Sequence, residues 1–157
     1  MTPQEFVLRL QAVSRLFKRD KSNVLLQPMI ELEETMKSRI FEKGINSSGR
    51  KIGKYGQSWP PIRKERGLQT KYVDLKFSGD LMDSFVADRD EKDSVALGFS
   101  DDFNYEKALY QEALQGKKKG GFNSMNIFTP RNVEIRQMQK VALKEIEDEI
   151  EKIINVF

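Results

Sequence analysis

The sequence predicts an α+β fold: a small antiparallel sheet with N-terminal helices, a long C-terminal helix, and a long Gly/Pro-containing loop between them. Three observations carry this. Apolar residues recur at helical spacing at both ends of the chain. A period-two pattern occupies residues 85–99, as a hairpin with one buried face would require. Between the first helices and that hairpin, regular periodicity gives way to glycine and proline.

At the N-terminus, Phe6, Leu10, Val13 and Phe17 follow spacings of four, three and four, one face of a helix over Thr2–Lys18. Thr2 is placed as N-cap, with Pro3 at the first helical position and Glu5 three residues after the cap. The polar run Lys18–Asn23 breaks the pattern. A second helix is expected from about Val24–Pro28 to about Lys43, with Met29, Leu32, Met36, Ile40 and Phe41 as its stripe. Gly44 is positioned to end it in the left-handed conformation.

From about 45 to 72 the chain reads as an extended loop, punctuated by Gly49, Gly53, Gly56, Pro60, Pro61 and Gly67. Loops of this length inside a compact domain are usually functional, so this one is expected to rest on something, a second subunit included. Trp59, the only tryptophan, is expected to anchor it. Ser78-Gly79-Asp80-Leu81 begins a helical turn with Ser78 as N-cap. Phe85, Ala87 and Arg89, then Val95, Leu97 and Phe99, alternate as two strands around the polar turn Asp90–Asp93. Tyr105, Ala108, Leu109 and Glu112 place a helix over Asn104–Leu114, ended by Gly116. A Lys/Gly-rich loop at about 115–126 is expected to be mobile, and Ile127-Phe128 to add a short strand. Thr129-Pro130 starts the last helix, whose stripe is Ile135, Met138, Ala142, Ile146, Ile150, Ile153 and Phe157.

The 157 residues fit a single domain, 1–157, with no internal repeat. Hydrophobic residues make up 38% and charged residues 32%, a balance suited to a soluble globular chain. No apolar run approaches the roughly 18 residues of a membrane span, and the first residues lack a signal-peptide pattern. Cysteine and histidine are both absent. This excludes a disulfide framework, thiolate nucleophiles, Ser-His-Asp triads and His-based zinc sites. Carboxylate pairs remain, but no spacing singles one out. The run Gly49–Gly56 is no P-loop, because Tyr55 rather than Ser or Thr follows Gly53-Lys54. Asp88, Asp90, Glu91 and Asp93 read as a polar turn, and Asp101–Glu112 carries Glu106 where an EF-hand loop needs glycine. No catalytic, cofactor-binding or metal-binding residue is assigned.

Net charge is +3, but unevenly spread. From Gly49 to Lys76, Arg50, Lys51, Lys54, Arg63, Lys64, Arg66, Lys71 and Lys76 stand against Glu65 and Asp74. Nucleic acid, an acidic neighbouring subunit and a solvated loop are all consistent with this. Lys117, Lys118 and Lys119 beside Gly120-Gly121 fit either non-specific phosphate contact or an exposed loop.

The order of motifs from Arg39 to Phe99 carries a resemblance. It runs through Asn46-Ser47-Ser48-Gly49, Ile52-Gly53-Lys54-Tyr55, Gly67-Leu68-Gln69-Thr70, Val73-Asp74-Leu75, Ser78-Gly79-Asp80-Leu81, Ser84-Phe85 and Leu97-Gly98-Phe99. This order resembles the tail-completion, or head–tail joining, proteins of tailed bacteriophages, also called neck or virion-morphogenesis proteins, over roughly two-thirds of the chain. The N-terminal helical region is longer than the usual single helix. The Tyr-Ala-x-x-x-Glu-x-Gly pattern of such proteins is only loosely echoed in Tyr105–Gly116.

The resemblance implies a non-enzymatic structural subunit of the virion neck or tail, assembled in the host cytoplasm. Its partners would be other copies of itself in a ring, neighbouring portal, connector or tail proteins, and DNA touched non-specifically in the lumen, with no membrane involved. Tyr55, Trp59, Leu68, Tyr72 and Leu75 are then expected at subunit interfaces or as loop anchors. Arg50, Lys51, Lys117, Lys118 and Lys119 are expected to face the lumen or a neighbour. The competing expectation is a basic nucleic-acid-binding accessory protein acting as a monomer or dimer.

Overall fold

The computed structural model describes residues 3–19, 21–91, 94–118 and 125–155. The chain is α+β, as the periodicities predict. In order it forms α1 (Pro3–Arg19), α2 (Lys21–Lys37), a π-helical turn (Ser38–Glu42), α3 (Trp59–Glu65), α4 (Asp80–Asp83), β1 (Phe85–Glu91), β2 (Ser94–Phe99), α5 (Asp102–Lys118) and α6 (Asn132–Asn155).

The core is built around the C-terminal half of α2 and its π-helical continuation. Leu32, Met36, Ile40 and Phe41 are buried, joined by Ile52 and Val73 from the long loop, Leu81, Phe85, Ala108 and Ile127. Arg39, Ile40 and Phe41 are consecutive and all buried. A regular α-helix would spread three successive side chains over some 200° of its circumference. The wider π turn, with the Lys43 N–H donating to the Ser38 carbonyl five residues back, gathers them inside. Phe128 then stacks against Phe41, Phe85 and Phe99 at centroid distances of 6.3, 6.0 and 5.1 Å.

The two expected strands pair as an antiparallel hairpin, Phe85 with Phe99, Ala87 with Leu97 and Arg89 with Val95, but Asp90 and Glu91, expected in the turn, belong to β1. Its sheet packs on α2. The apolar stripe of α6 is half-buried and packs on α2 and α1, so the first helices are what it covers. Phe157 of that stripe lies outside the described residues.

Gly44 adopts φ +59, as a helix-ending glycine should, and a Cβ there would meet the Val73 carbonyl oxygen at 2.4 Å.

Several expectations are corrected. The second helix starts at Lys21 and carries the buried Pro28 inside it, and its last turn is π rather than α. The 45–72 segment is not wholly irregular, because Trp59-Pro60-Pro61 opens α3 with prolines in its first turn, where no backbone N–H is needed. The residue before α4 is Gly79 at φ +104, which takes the cap position assigned to Ser78; the Ser78 hydroxyl instead donates to Asp80. Gly116 does not end α5: it is buried within a helix that continues to Lys118. Of the 115–126 loop, 115–118 are therefore helical and 119–124 lie outside the described residues. Met125 and Asn126 are held, the first donating to the Glu112 carbonyl and the second accepting from Ser47. Ile127-Phe128 forms no strand; both N–H groups donate to one carboxylate oxygen of Glu112. The last helix begins at Asn132, not at Thr129-Pro130. Glu134 reaches back to the Arg131 N–H at 2.7 Å and supplies the capping contact.

Candidate functional site

The long loop is organised by one buried ion pair. Arg63, on α3, is 1% exposed and donates from Nη2 to both oxygens of Asp74 at 3.0 Å. Its Nε donates to the Gln69 carbonyl at 2.7 Å and its Nη1 to the Lys76 carbonyl at 2.8 Å. Asp74 also accepts from the Tyr55 hydroxyl at 2.6 Å, the Gln69 amide at 2.6 Å and the Lys76 N–H at 3.0 Å. Both charges are thus paired and most of their remaining hydrogen-bonding capacity is used, which makes such burial tolerable. The Arg63 guanidinium lies 4.3 Å from the Tyr55 ring centroid. Burial, and then the hydrogen bond to Asp74, push the Tyr55 phenol well above its usual range.

This pin gives the loop a fixed shape, and beside it α5 leaves a cleft of about 270 Å3. Tyr55, Trp59, Val73, Leu75, Phe77, Leu81 and Leu114 supply apolar wall. Lys107 and the amides of Gln111 and Gln115 supply polar groups. Gln115 is 4% exposed, and its side-chain amide makes no hydrogen bond among the described residues. Leu75 is held at φ +54, a left-handed conformation unusual for a bulky side chain. Such strain persists only where the surroundings enforce it, and it concentrates at functional sites.

The surface around the cleft is strongly apolar. Trp59, Ile62 and Phe77 are exposed on the loop side, with Trp59 and Phe77 edge to face at 5.7 Å. On α5, Lys107, Gln111, Leu114 and Gln115 form the wall of the cleft, and Phe103 and Tyr110 lie exposed on the same helix. Phe103 is 72% exposed and Tyr110 63%. Two cations lie over aromatic faces here, Arg66 over Phe77 and Lys107 over Phe103.

Of the residues singled out from the sequence, the structure brings Tyr55, Trp59 and Leu75 together at this cleft. Leu68 and Tyr72 lie elsewhere. Leu68 is half-buried and donates its N–H to the Arg63 carbonyl. Tyr72 ties the loop to the π turn, its hydroxyl donating to the Glu42 carbonyl and its ring lying under Lys51. Arg50 and Lys51 are exposed, and Lys51 donates to the Lys43 carbonyl at 2.6 Å. Lys117 and Lys118 are the last residues of α5, their side chains undescribed, and Lys119 lies outside the described residues.

Sequence reading missed Arg63 with Asp74, and a second pin, Arg39 with Glu134. Arg39 donates to Glu134 at 2.7 Å and to the carbonyls of Ile45, Ile127 and Thr129. Burial lowers the Arg39 pKa, and the hydrogen bond and charge of Glu134 oppose that shift.

Among the described residues no group of three or more Asp or Glu side chains is gathered to hold a metal ion, and no helix is long and apolar enough to cross a membrane. No protein-family model matches the sequence, and no curated protein and no solved structure is significantly similar to it.

Proposed function

We propose that this chain is a structural assembly subunit of a tailed-phage virion, joining or forming a homo-oligomeric ring at the head–tail connector or the tail end. One observation carries the assembly reading: a pinned loop whose Trp59 and Phe77 line an apolar cleft, with Ile62 exposed on the same loop and Phe103 and Tyr110 exposed on α5. Exposed aromatic patches of this kind mark protein–protein contact surfaces, and a central pocket within one is where binding energy concentrates. The phage-virion part rests on the order of motifs from Arg39 to Phe99 in the sequence. A closed ring requires two different surfaces per subunit that meet head to tail.

A second reading is a nucleic-acid-binding accessory protein. The specific support for it is the solvent-facing charge between residues 50 and 77, where Arg50, Lys51, Lys54, Lys64, Arg66 and Lys71 are exposed against Glu65. The mass of the purified protein, by light scattering at low and moderate salt with negative-stain imaging, separates the two. Ring-shaped particles free of nucleic acid are expected. A monomer that binds DNA and releases it steeply with salt transfers the assignment to the second reading.

A further inference from the structure

We infer that the cleft receives the outer face of α6 from a second copy of this chain, with Leu143 as the side chain that enters it. The inference rests on the assembly reading above and names the interface.

The acceptor has room for a side chain. Its volume of about 270 Å3 is at the lower edge of the roughly 300–1,000 Å3 of small-ligand pockets. Its wall is mainly aliphatic and aromatic, with Lys107, Gln111 and Gln115 adding polar groups.

The donor is a stripe that faces away from α1 and α2. Arg136, Lys140, Leu143, Glu147 and Glu151 follow spacings of four, three, four and four, and all are exposed. Leu143 is 61% exposed, an isolated apolar side chain with cations on the turns before it and acids on the turns after. The two sides of the cleft carry the complementary pattern. Lys54, Lys64, Arg66, Lys71 and Lys76 stand on the loop side against Glu65 and Asp80. The start of α5 carries Asp101, Asp102 and Glu106, all exposed. A helix laid across the cleft therefore has one favoured direction: Glu147 and Glu151 toward the loop, Lys140 and Arg136 toward the start of α5. This is the helix-in-groove mode with its polarity set by charge.

Within its own chain α6 packs on α2 and α1, which leaves its outer face for another copy. The start of α6 lies near the beginning of the basic segment, with the Arg131 guanidinium beside Gly49. Glu147 and Glu151 are 15 and 19 residues beyond Asn132, so roughly 22 to 29 Å along the helix axis. That exceeds a screening length of about 8 Å at physiological salt. The acidic end of α6 therefore lies far from Gly49 of its own chain, and the inferred interface gives it the basic loop of the next. Donor and acceptor are different surfaces, so the contact propagates head to tail.

The test is sedimentation velocity over a concentration series at about 20 and about 200 mM salt. Four proteins are compared: wild type, Leu143→Asp, the acid-reversed Glu147→Lys/Glu151→Lys, and the loop-reversed Lys64→Glu/Arg66→Glu. Each changed side chain is solvent-exposed, and circular dichroism checks that the variants fold. Wild type is expected to self-associate, more strongly at low salt. Leu143→Asp is expected to weaken association at least tenfold. Each charge-reversed protein alone is expected to stay monomeric, and mixing the two at equal concentration to restore association. A wild type monomeric throughout, association indifferent to Leu143→Asp, or mixing without rescue overturns the inference. The assembly reading fails separately. Rings indifferent to Leu143 leave it standing without this interface, whereas Leu143-dependent open chains or dimers remove the ring and keep the contact. DNA binding abolished in the loop-reversed protein, with no self-association in any, overturns both.

Discussion

Replacing Arg63 by Met tests whether the buried pair is what shapes the loop. The substitution keeps an apolar stem against Tyr55 and removes four hydrogen bonds, two of them to Asp74. The carbonyls of Gln69 and Lys76 lose a charged donor. Asp74, 3% exposed, keeps Tyr55, Gln69 and the Lys76 N–H but no cation. Breaking a buried pair from one side costs about 3–5 kcal/mol. With a urea m-value of about 2 kcal/mol/M, the unfolding midpoint should fall by roughly 1.5–2.5 M. Trp59 makes the assay site-specific, because it is the only tryptophan and stands at the rim of the cleft. Its fluorescence in the variant should change at lower urea than the far-UV circular dichroism, while both coincide in wild type. The companion Arg63→Met/Asp74→Asn removes both charges and should cost less than the sum of the single changes by at least about 1.5 kcal/mol. A midpoint shift below about 0.5 M, or strict additivity, would refute the account.

Three further outcomes are expected. Tyr55 holds its proton more tightly folded than unfolded, so its contribution is complete below about pH 10 and is lost as pH rises further; a urea midpoint followed from pH 8 to 11 should decline less steeply in Tyr55→Phe than in wild type. Gly44→Ala combines a positive φ with a Cβ that would meet the Val73 oxygen and the Tyr72 ring at 2.4 and 2.5 Å, and should destabilise by more than about 2 kcal/mol in thermal unfolding. Glu134→Gln leaves the Arg39 guanidinium, 5% exposed, without its anion, and should cost about 3 kcal/mol by the same measurement.

How legible each part was depends on whether the signal is local. The hairpin followed from alternation alone, and the register the structure adds keeps Phe85 opposite Phe99, where a one-residue slip would turn one of them out of the core. The stripe of α6 was legible for the same reason: a face has a period; of the α1 stripe, Val13 is half-buried but Leu10 is exposed. The π turn was not, since three adjacent apolar or long residues at 39–41 have no period of their own. α3 was overlooked because its prolines read as loop, although prolines opening a helix after Ser58 are a start signal. Gly116 was read as a stop because a missing side chain looks the same whether it ends a helix or packs within one. The cleft was half legible. Tyr55, Trp59 and Leu75 stood out as apolar residues in a polar loop. The α5 wall and Phe77 did not, because only tertiary folding brings residues 107–115 beside 55–81. Arg63 and Arg39 were hidden by their type: in a basic sequence a buried arginine is indistinguishable from a solvated one until its partner, 11 or 95 residues away, is placed beside it.

That separation has a consequence in time. Arg39 sits in the first third of the chain, at the heart of the core, and three of its acceptors, Ile127, Thr129 and Glu134, are 88 to 95 residues downstream. At translation speeds of about 5–20 residues per second, a ribosome needs roughly 5 to 20 s to deliver them after Arg39 is made. For that interval the guanidinium keeps its hydration, and Ile40 and Phe41 beside it cannot close their packing. The hairpin and α5 are synthesised while the centre of the molecule is still open. The nascent protein is therefore expected to lock in one late event, when the strand of chain entering α6 reaches back and extinguishes that charge.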